Sequence, residues 1–209
     1  MLFTQGQKIL FIGDSITDAN RRGGDGPYGN GYVSIVRSLL IARYPELRLR
    51  FANRGISGNT VRDLAARWQQ DVLAEQPDWL AVMIGINDVW RAFGANVHES
   101  VPLPEYRETL SELLHRARAE TGARLVLMEP YVIEPDRSEP MRSQMDRFGA
   151  VVAELAGQLD AVLVRTQTAF DRALQHSSSA DWADDQIHPN APGHAIIALA
   201  FLRSAGFEL

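Results

Sequence analysis

The sequence predicts an α/β protein in which a five-stranded parallel sheet is covered by helices on both faces, a three-layer α/β/α sandwich. Short apolar runs alternate along the chain with longer segments whose apolar residues recur every three or four positions. This alternation of strand and helix patterns is typical of parallel sheets. The 209 residues, 45% of them hydrophobic, can bury one good core, so we expect residues 1–209 to form one domain.

The predicted strands are short and rich in aliphatic residues, as expected of strands that are buried on both faces of a sheet. The first of them reads Lys-Ile-Leu-Phe-Ile and is broken by Gly13. The full set of predicted strands is residues 8–12, 47–52, 78–84, 124–128 and 161–164.

The predicted helices follow from apolar residues at helical spacing. Val33, Val36 and Leu40 fall on one face of a helix at residues 32–44, and Pro45 ends it. A glycine-rich loop at residues 19–31 precedes this helix. The other predicted helices begin at about residue 61 and cover residues 104–120, 141–159, 168–175 and 191–204.

Composition and charge exclude several classes of protein. The net charge is −5 and no long run of one sign occurs, which argues against nucleic acid or an anionic membrane as the main partner. Without cysteine, disulfides and thiolate chemistry are not available. Residues 1–15 lack the features of a signal peptide, and no segment approaches the roughly 18 apolar residues of a membrane span. We therefore expect a cytoplasmic protein.

Polar turns follow three of the predicted strands. Ser15 follows the first strand, Gly58 the second and Asn87 the third. Each turn alone has an ordinary structural explanation, because serine and asparagine cap helices and glycine permits a positive φ angle. The carboxyl ends of parallel strands nevertheless share one edge of a sheet, where ligands bind. We therefore expect the three turns to meet in one crevice.

A fourth polar segment, Asp-Asp-Gln-Ile-His-Pro at residues 184–189, precedes the last predicted helix. Asp185 and His188 are close enough in sequence for the carboxylate to hold the imidazole Nδ1–H. Nε2 would then be free to take a proton from Ser15. Asp184 is the alternative carboxylate, and the three-residue spacing favours Asp185.

The same segment allows a second interpretation, a metal site. Its ligands would be Asp184, Asp185, His188 and His194. Their spacing matches none of the common zinc patterns, so we expect neither a metal nor another cofactor.

With these blocks, the sequence resembles the SGNH (GDSL-type) hydrolase superfamily along nearly its whole length. The resemblance rests on Ser15 in Gly-Asp-Ser, Gly58 in Gly-Ile-Ser-Gly-Asn-Thr, Asn87 in Gly-Ile-Asn-Asp and His188 in Asp-x-x-His-Pro. It implies a flavodoxin-like strand order 2-1-3-4-5 and a triad of Ser15, Asp185 and His188. It also implies an oxyanion hole formed by Ser15, Gly58 and Asn87, whose backbone and side-chain N–H groups suit that role.

Within the superfamily the chain is most similar to bacterial intracellular acetylxylan esterases, which act on xylo-oligosaccharides and form homo-oligomers. The resembling segments include residues 12–18, 55–64 and 85–91. Trp182 departs from the pattern, since a tryptophan is expected immediately before Asp185. The resemblance implies an esterase that removes acetyl or other short acyl groups from acetylated saccharides.

Two other function classes remain as alternatives. One is a carboxylesterase, thioesterase or lysophospholipase for longer acyl chains, and the other is a non-catalytic or flavin-binding protein on the same fold. For an acetylated sugar, aromatic and arginine side chains near the catalytic blocks are the candidate contacts. They are Tyr28, Trp90, Arg91 and Trp182, together with Asp14 beside the serine. Packing roles for Trp90 and Trp182 are equally compatible with the sequence.

Overall fold

Five parallel strands form the central sheet of the computed structural model, which describes residues 1–208. The strands are β1 (Lys8–Gly13), β2 (Arg50–Gly55), β3 (Trp79–Met83), β4 (Arg124–Met128) and β5 (Val162–Val164). They are arranged in the order β2-β1-β3-β4-β5, and every neighbouring pair is parallel. The predicted fold class and the strand order 2-1-3-4-5 are confirmed.

Helices cover both faces of this sheet. Their bounds are α1 (Ser15–Asp18), α2 (Tyr32–Arg43), α3 (Val61–Trp68), α4 (Ile86–Trp90), α5 (Leu103–Thr121), α6 (Pro140–Gln158), α7 (Thr166–Ala173) and α8 (Ala191–Ser204). Helices α2, α7 and α8 pack together on one face, and α3, α5 and α6 pack on the other, as right-handed crossovers require. Within residues 1–208, no helix combines the length and the apolar character needed to cross a membrane.

Strands β1 and β3 lie at the centre of the core. Four consecutive β1 residues, Ile9 to Ile12, have no solvent exposure, and all of β3 is buried. Burial on both faces explains why these strands read as continuous apolar runs instead of alternating patterns.

The sheet register aligns the strand ends that carry the polar turns. Gly13, the last residue of β1, is paired with Gly55 of β2 and with Met83 of β3. A Cβ atom at Gly13 would lie 2.2 Å from the Met83 carbonyl oxygen and 2.4 Å from Thr17 Oγ1. Only glycine allows the next turn to pack this closely, so Gly13 sets where the chain leaves the sheet.

The second strand departs from the sequence prediction. It spans Arg50–Gly55 instead of residues 47–52, because Pro45–Leu47 form a 3₁₀ turn and Arg48 has a φ of +46°. β2 is an edge strand, and all its residues but Asn53 and Gly55 are at least partly exposed. Polar side chains are therefore tolerated there, and pairing with β1 sets the bounds. The predicted helix at 168–175 lies two residues earlier, and the short helices α1 and α4 were not predicted.

Candidate active site

Ser15 lies directly beyond the end of β1, at the first residue of α1. The preceding Asp14 caps this helix, since its Oδ1 accepts a hydrogen bond from the Ile16 N–H at 3.0 Å. The cap holds the short helix against the strand end and leaves Ser15 half-buried at the surface of the crevice.

A chain of hydrogen bonds joins this serine to the end of the polypeptide. Ser15 Oγ lies 3.0 Å from His188 Nε2, and His188 Nδ1 lies 2.6 Å from Asp185 Oδ2. Nucleophile, base and orienting carboxylate thus stand in hydrogen-bonding sequence, which is the geometry that activates a hydroxyl for attack. The Asp185 and His188 side chains are 49% and 44% exposed, so the crevice is open to solvent.

The loop before α8 holds the imidazole in place. Asp185 Oδ1 accepts hydrogen bonds from the backbone N–H groups of Ile187 and His188 at 3.0 and 2.7 Å. Partial burial disfavours the carboxylate, but the His188 ring and these two N–H groups outweigh it and keep the pKa of Asp185 below its ordinary value. The structure therefore brings Asp185, and not Asp184, to His188.

The three residues predicted to form the oxyanion hole follow separate strands, Ser15 after β1, Gly58 after β2 and Asn87 after β3. Among residues 1–208 the backbone N–H groups of Ser15 and Gly58 donate to no protein acceptor. Asn87 is 4% exposed, and its Nδ2 donates to the Asn59 carbonyl at 3.0 Å. Because a carboxamide carries two N–H donors, Asn87 keeps one for a ligand. This arrangement suits a developing oxyanion.

A cavity of about 310 Å³ adjoins these donors. Gly58, Asn87, Trp90 and Arg91 line it together with residues 94–96. The Trp90 and His188 rings are 6.2 Å apart between centroids and meet at 78°. Trp90 is 42% exposed, so its ring forms a wall beside the imidazole and has a face free for a ligand.

The other predicted substrate contacts are placed elsewhere. Asp14 is not available to contact a substrate, because it is 1% exposed and its side chain caps α1. The Tyr28 ring is covered by the Arg37 guanidinium at 4.5 Å. Trp182 donates its indole N–H to Ser177 Oγ at 2.7 Å and packs against the core. Neither Tyr28 nor Trp182 lines the cavity next to Trp90.

The alternative metal cluster is not assembled. In the part of the chain that the structure describes, residues 1–208, no group of three or more acidic or histidine side chains is placed to hold a metal ion. His194 is buried, and its Nδ1 accepts the Tyr32 N–H at 3.2 Å. Burial lowers the pKa of His194 to about 4, so at neutral pH the ring is uncharged and acts as an acceptor within the fold.

Two acidic residues that support the site were missed from the sequence. Asp18 Oδ2 accepts hydrogen bonds from the Ser57 N–H at 3.2 Å and the Ser57 hydroxyl at 3.0 Å. Asp88 Oδ1 accepts the Val61 N–H at 2.9 Å. Asp18 lies three residues after Ser15 on α1, and Asp88 directly follows Asn87 on α4. Their position just after Ser15 and Asn87 was the available signal.

Burial of Asp14 leads to a prediction about stability and pH. Burial, with a smaller contribution from the charge of Asp88, raises the pKa of Asp14 from 3.8 to about 7. Between these values the folded state binds more protons than the unfolded state. Protonation of Asp14 therefore adds to the free energy of unfolding at low pH, and this contribution is lost as the pH rises through about 7. Asparagine caps a helix as well as aspartate does. We therefore expect Asp14→Asn to raise the Tm relative to wild type more at pH 8 than at pH 5.

Thermal unfolding followed by circular dichroism at both pH values measures this difference. The exposed neighbour of the triad offers a matched control, Asp184→Asn, which makes the same change in charge on an exposed residue. A Tm difference for Asp14→Asn that is the same at both pH values would contradict the assignment.

Comparisons with known proteins identify relatives of this chain. Residues 11–196 match the sequence model of the GDSL-like lipase/acylhydrolase family. The chain is 46% identical to an acetylxylan esterase from Geobacillus stearothermophilus, over all of this chain and 98% of that protein.

Solved structures give the same result. The crystal structure of Axe2, an acetylxylan esterase from Geobacillus stearothermophilus, superposes with a TM-score of 0.96 at 46% identity and covers 100% of this chain and 98% of that one. LAE5, an α/β hydrolase enzyme from the metagenome of Lake Arreo, Spain, superposes with a TM-score of 0.94 at 48% identity, covering 99% and 98% of the two chains. The chain therefore belongs to the GDSL-like lipase/acylhydrolase family and is a carboxylic ester hydrolase.

Proposed function

We propose that the protein is a serine esterase that removes acetyl groups from acetylated saccharides, xylo-oligosaccharides in particular, through a triad of Ser15, His188 and Asp185. The observation that carries the proposal is the hydrogen-bonded chain of these three side chains at the mouth of a crevice. Full-length similarity to an acetylxylan esterase supports acetyl ester hydrolysis.

In the first step, His188 Nε2 takes the Ser15 proton as the hydroxyl oxygen attacks the ester carbonyl. Asp185 stabilises the imidazolium and holds its Nδ1–H. The Ser15 and Gly58 backbone N–H groups and the Asn87 amide donate to the tetrahedral oxyanion, and each such donor is typically worth about 10²–10³ in rate.

In the second half of the first step, His188 gives its proton to the departing sugar hydroxyl, and the acetyl group stays on Ser15 as an ester. Water then enters, His188 takes its proton, and the hydroxide attacks the acetyl carbonyl. Collapse of this second tetrahedral intermediate releases acetate and returns the proton to Ser15 Oγ. The protein side chains, the ester and water supply every proton and group that these steps transfer, so no step needs a cofactor.

Three further observations support the proposed residues and substrate. Catalytic mutants of Axe2 replace a serine, an aspartate and a histidine, the same three residue types as here. Axe2 is also described as an acetyl-xylooligosaccharide esterase. In this chain the exposed Trp90 ring beside His188 provides the flat apolar surface on which a sugar ring packs.

Two assays with the purified protein test the proposal. We expect release of acetate from acetylated xylo-oligosaccharides, and we expect activity on p-nitrophenyl esters to be highest for acetate and to fall steadily toward dodecanoate. Activity that peaks at octanoate or longer esters would contradict the proposal and indicate an esterase for long acyl chains. Activity on p-nitrophenyl acetate without acetate release from any acetylated saccharide would contradict the proposal that the substrate is an acetylated sugar.

A further inference from the structure

We propose that Arg91 is a positioning residue for the oxyanion hole and not a contact for the sugar, an inference that rests on the proposed esterase function. Arg91 acts through the loop at residues 56–60, here called the oxyanion loop.

Gly58 occupies a left-handed backbone conformation, and little packs against its α-carbon. Its φ is +83°, in the region that glycine enters freely. A Cβ atom built at Gly58 would have a single heavy atom within 4 Å, Arg91 Nη2 at 3.8 Å. Packing against the α-carbon therefore does not hold Gly58, and hydrogen bonds must do so, since rotation would turn its N–H away from the oxyanion. One such bond closes the turn around Gly58, because the Asn59 N–H donates to the Ile56 carbonyl at 3.2 Å.

Hydrogen bonds from neighbouring helices hold the loop on either side of Gly58. Asp18 of α1 accepts both the N–H and the hydroxyl of Ser57. Asn87 of α4 donates to the carbonyl of Asn59 at 3.0 Å. These contacts fix the flanking residues, but neither of them reaches Gly58 itself.

The Gly58 carbonyl is held by Arg91, whose Nη2 donates to it at 2.6 Å. A hydrogen bond from a guanidinium is stronger than one between neutral groups. It adds a charged anchor to the peptide plane that follows Gly58, whose Asn59 N–H already donates to the Ile56 carbonyl. Together with the Ser57 contacts, this anchor restricts the directions in which the Gly58 N–H can point.

The other terminal nitrogen of Arg91 is also occupied by the protein. Nη1 forms an ion pair with Glu99 Oε2 at 3.2 Å, and the arginine side chain is only 23% exposed. A guanidinium bound on both ends is held in place before any ligand arrives. These protein contacts favour a role for Arg91 in positioning the site instead of direct recognition of the saccharide.

The two roles have different consequences for substrates. A residue that orients the Gly58 N–H stabilises the transition state of every acyl substrate. A residue that contacts the sugar affects only esters that contain a sugar. Paired measurements on p-nitrophenyl acetate, which has no sugar, and on an acetylated xylo-oligosaccharide separate these roles.

We expect Arg91→Ala to lower kcat by a similar factor on both substrates, about 10- to 100-fold, because misplacement of one catalytic group by about 1 Å has this order of effect. KM should change little on either substrate. Arg91→Lys should retain more activity, since an ammonium group can still donate to the Gly58 carbonyl. Added guanidinium at non-denaturing concentration should restore part of the kcat of Arg91→Ala.

Arg62 offers a matched control at the same face of the loop. It lines a second cavity with Gly58 and Arg91, and it bonds to Glu105 and to the Ser100 carbonyl instead of the oxyanion loop. Arg62→Ala removes the same charge, and we expect it to leave kcat on p-nitrophenyl acetate close to that of wild type.

Several outcomes would overturn the inference. One is a loss by Arg91→Ala confined to KM for the acetylated sugar, and another is an unchanged kcat on both esters. A kcat loss that guanidinium and lysine fail to relieve and that accompanies a lowered Tm would show a merely structural role. A wild-type protein inactive on both esters would instead overturn the proposed function, and the inference with it.

Discussion

Ser15→Ala is expected to lower kcat for acetate release by up to about 10⁶-fold, and His188→Ala by a similar factor. Ser15 Oγ is the atom that becomes acylated, and His188 Nε2 at 3.0 Å is the only imidazole nitrogen bonded to it among residues 1–208. Without the hydroxyl no acyl-enzyme forms, and without the imidazole the hydroxyl stays protonated and weakly nucleophilic.

The two substitutions should not be additive. Because serine and histidine act as one unit, the double variant Ser15→Ala, His188→Ala should be no slower than either single variant. Turnover of p-nitrophenyl acetate, with the circular dichroism spectrum as a check on folding, measures all three. Turnover near that of wild type by either single variant would rule out the triad.

Asp185→Asn is expected to have the next largest effect, a loss in kcat of about 10⁴-fold. An asparagine Oδ1 can still accept the N–H groups of Ile187 and His188, so the loop should keep its shape. Its amide cannot accept the Nδ1–H, and the imidazole is then favoured in the tautomer that cannot take the Ser15 proton.

Asp184→Asn is the matched control for this substitution, since it changes the adjacent carboxyl and makes the same change in charge. We expect its kcat to stay close to that of wild type. Titration of kcat/KM against pH for Asp185→Asn and Asp184→Asn compares the two carboxylates directly. A larger loss with Asp184→Asn than with Asp185→Asn would transfer the orienting role to Asp184.

Much of the fold could be predicted because its central strands are buried on both faces. Burial makes β1, β3 and β4 continuous apolar runs, and their bounds fall within two residues of the predictions. The edge strand β2 was placed wrongly for the opposite reason. Its polar end, Asn53 to Gly55, enters the sheet by pairing with β1, which no local pattern reveals.

The short helices α1 and α4 were also missed. Four or five residues with several polar side chains lack helical periodicity, and such helices form because they are packed at strand ends. Asp14 also caps α1, whereas α4 has no side-chain cap. These helices carry Ser15 and Asn87, which the polar turns did predict. They also carry Asp18 and Asp88, whose supporting contacts escaped prediction together with the helices.

Local patterns in the sequence established the alternation of strands and helices, the parallel sheet and the polar turns with Ser15, Gly58 and Asn87. These follow from side-chain chemistry and periodicity over a few residues, which the chain carries without reference to its fold. Which carboxylate meets His188, which aromatic ring faces the crevice and what Arg91 bonds to all depend on contacts between distant segments, as with Ser15 and His188, 173 residues apart. Such contacts follow from strand register and helix packing, and so they emerge only when the whole core is assembled.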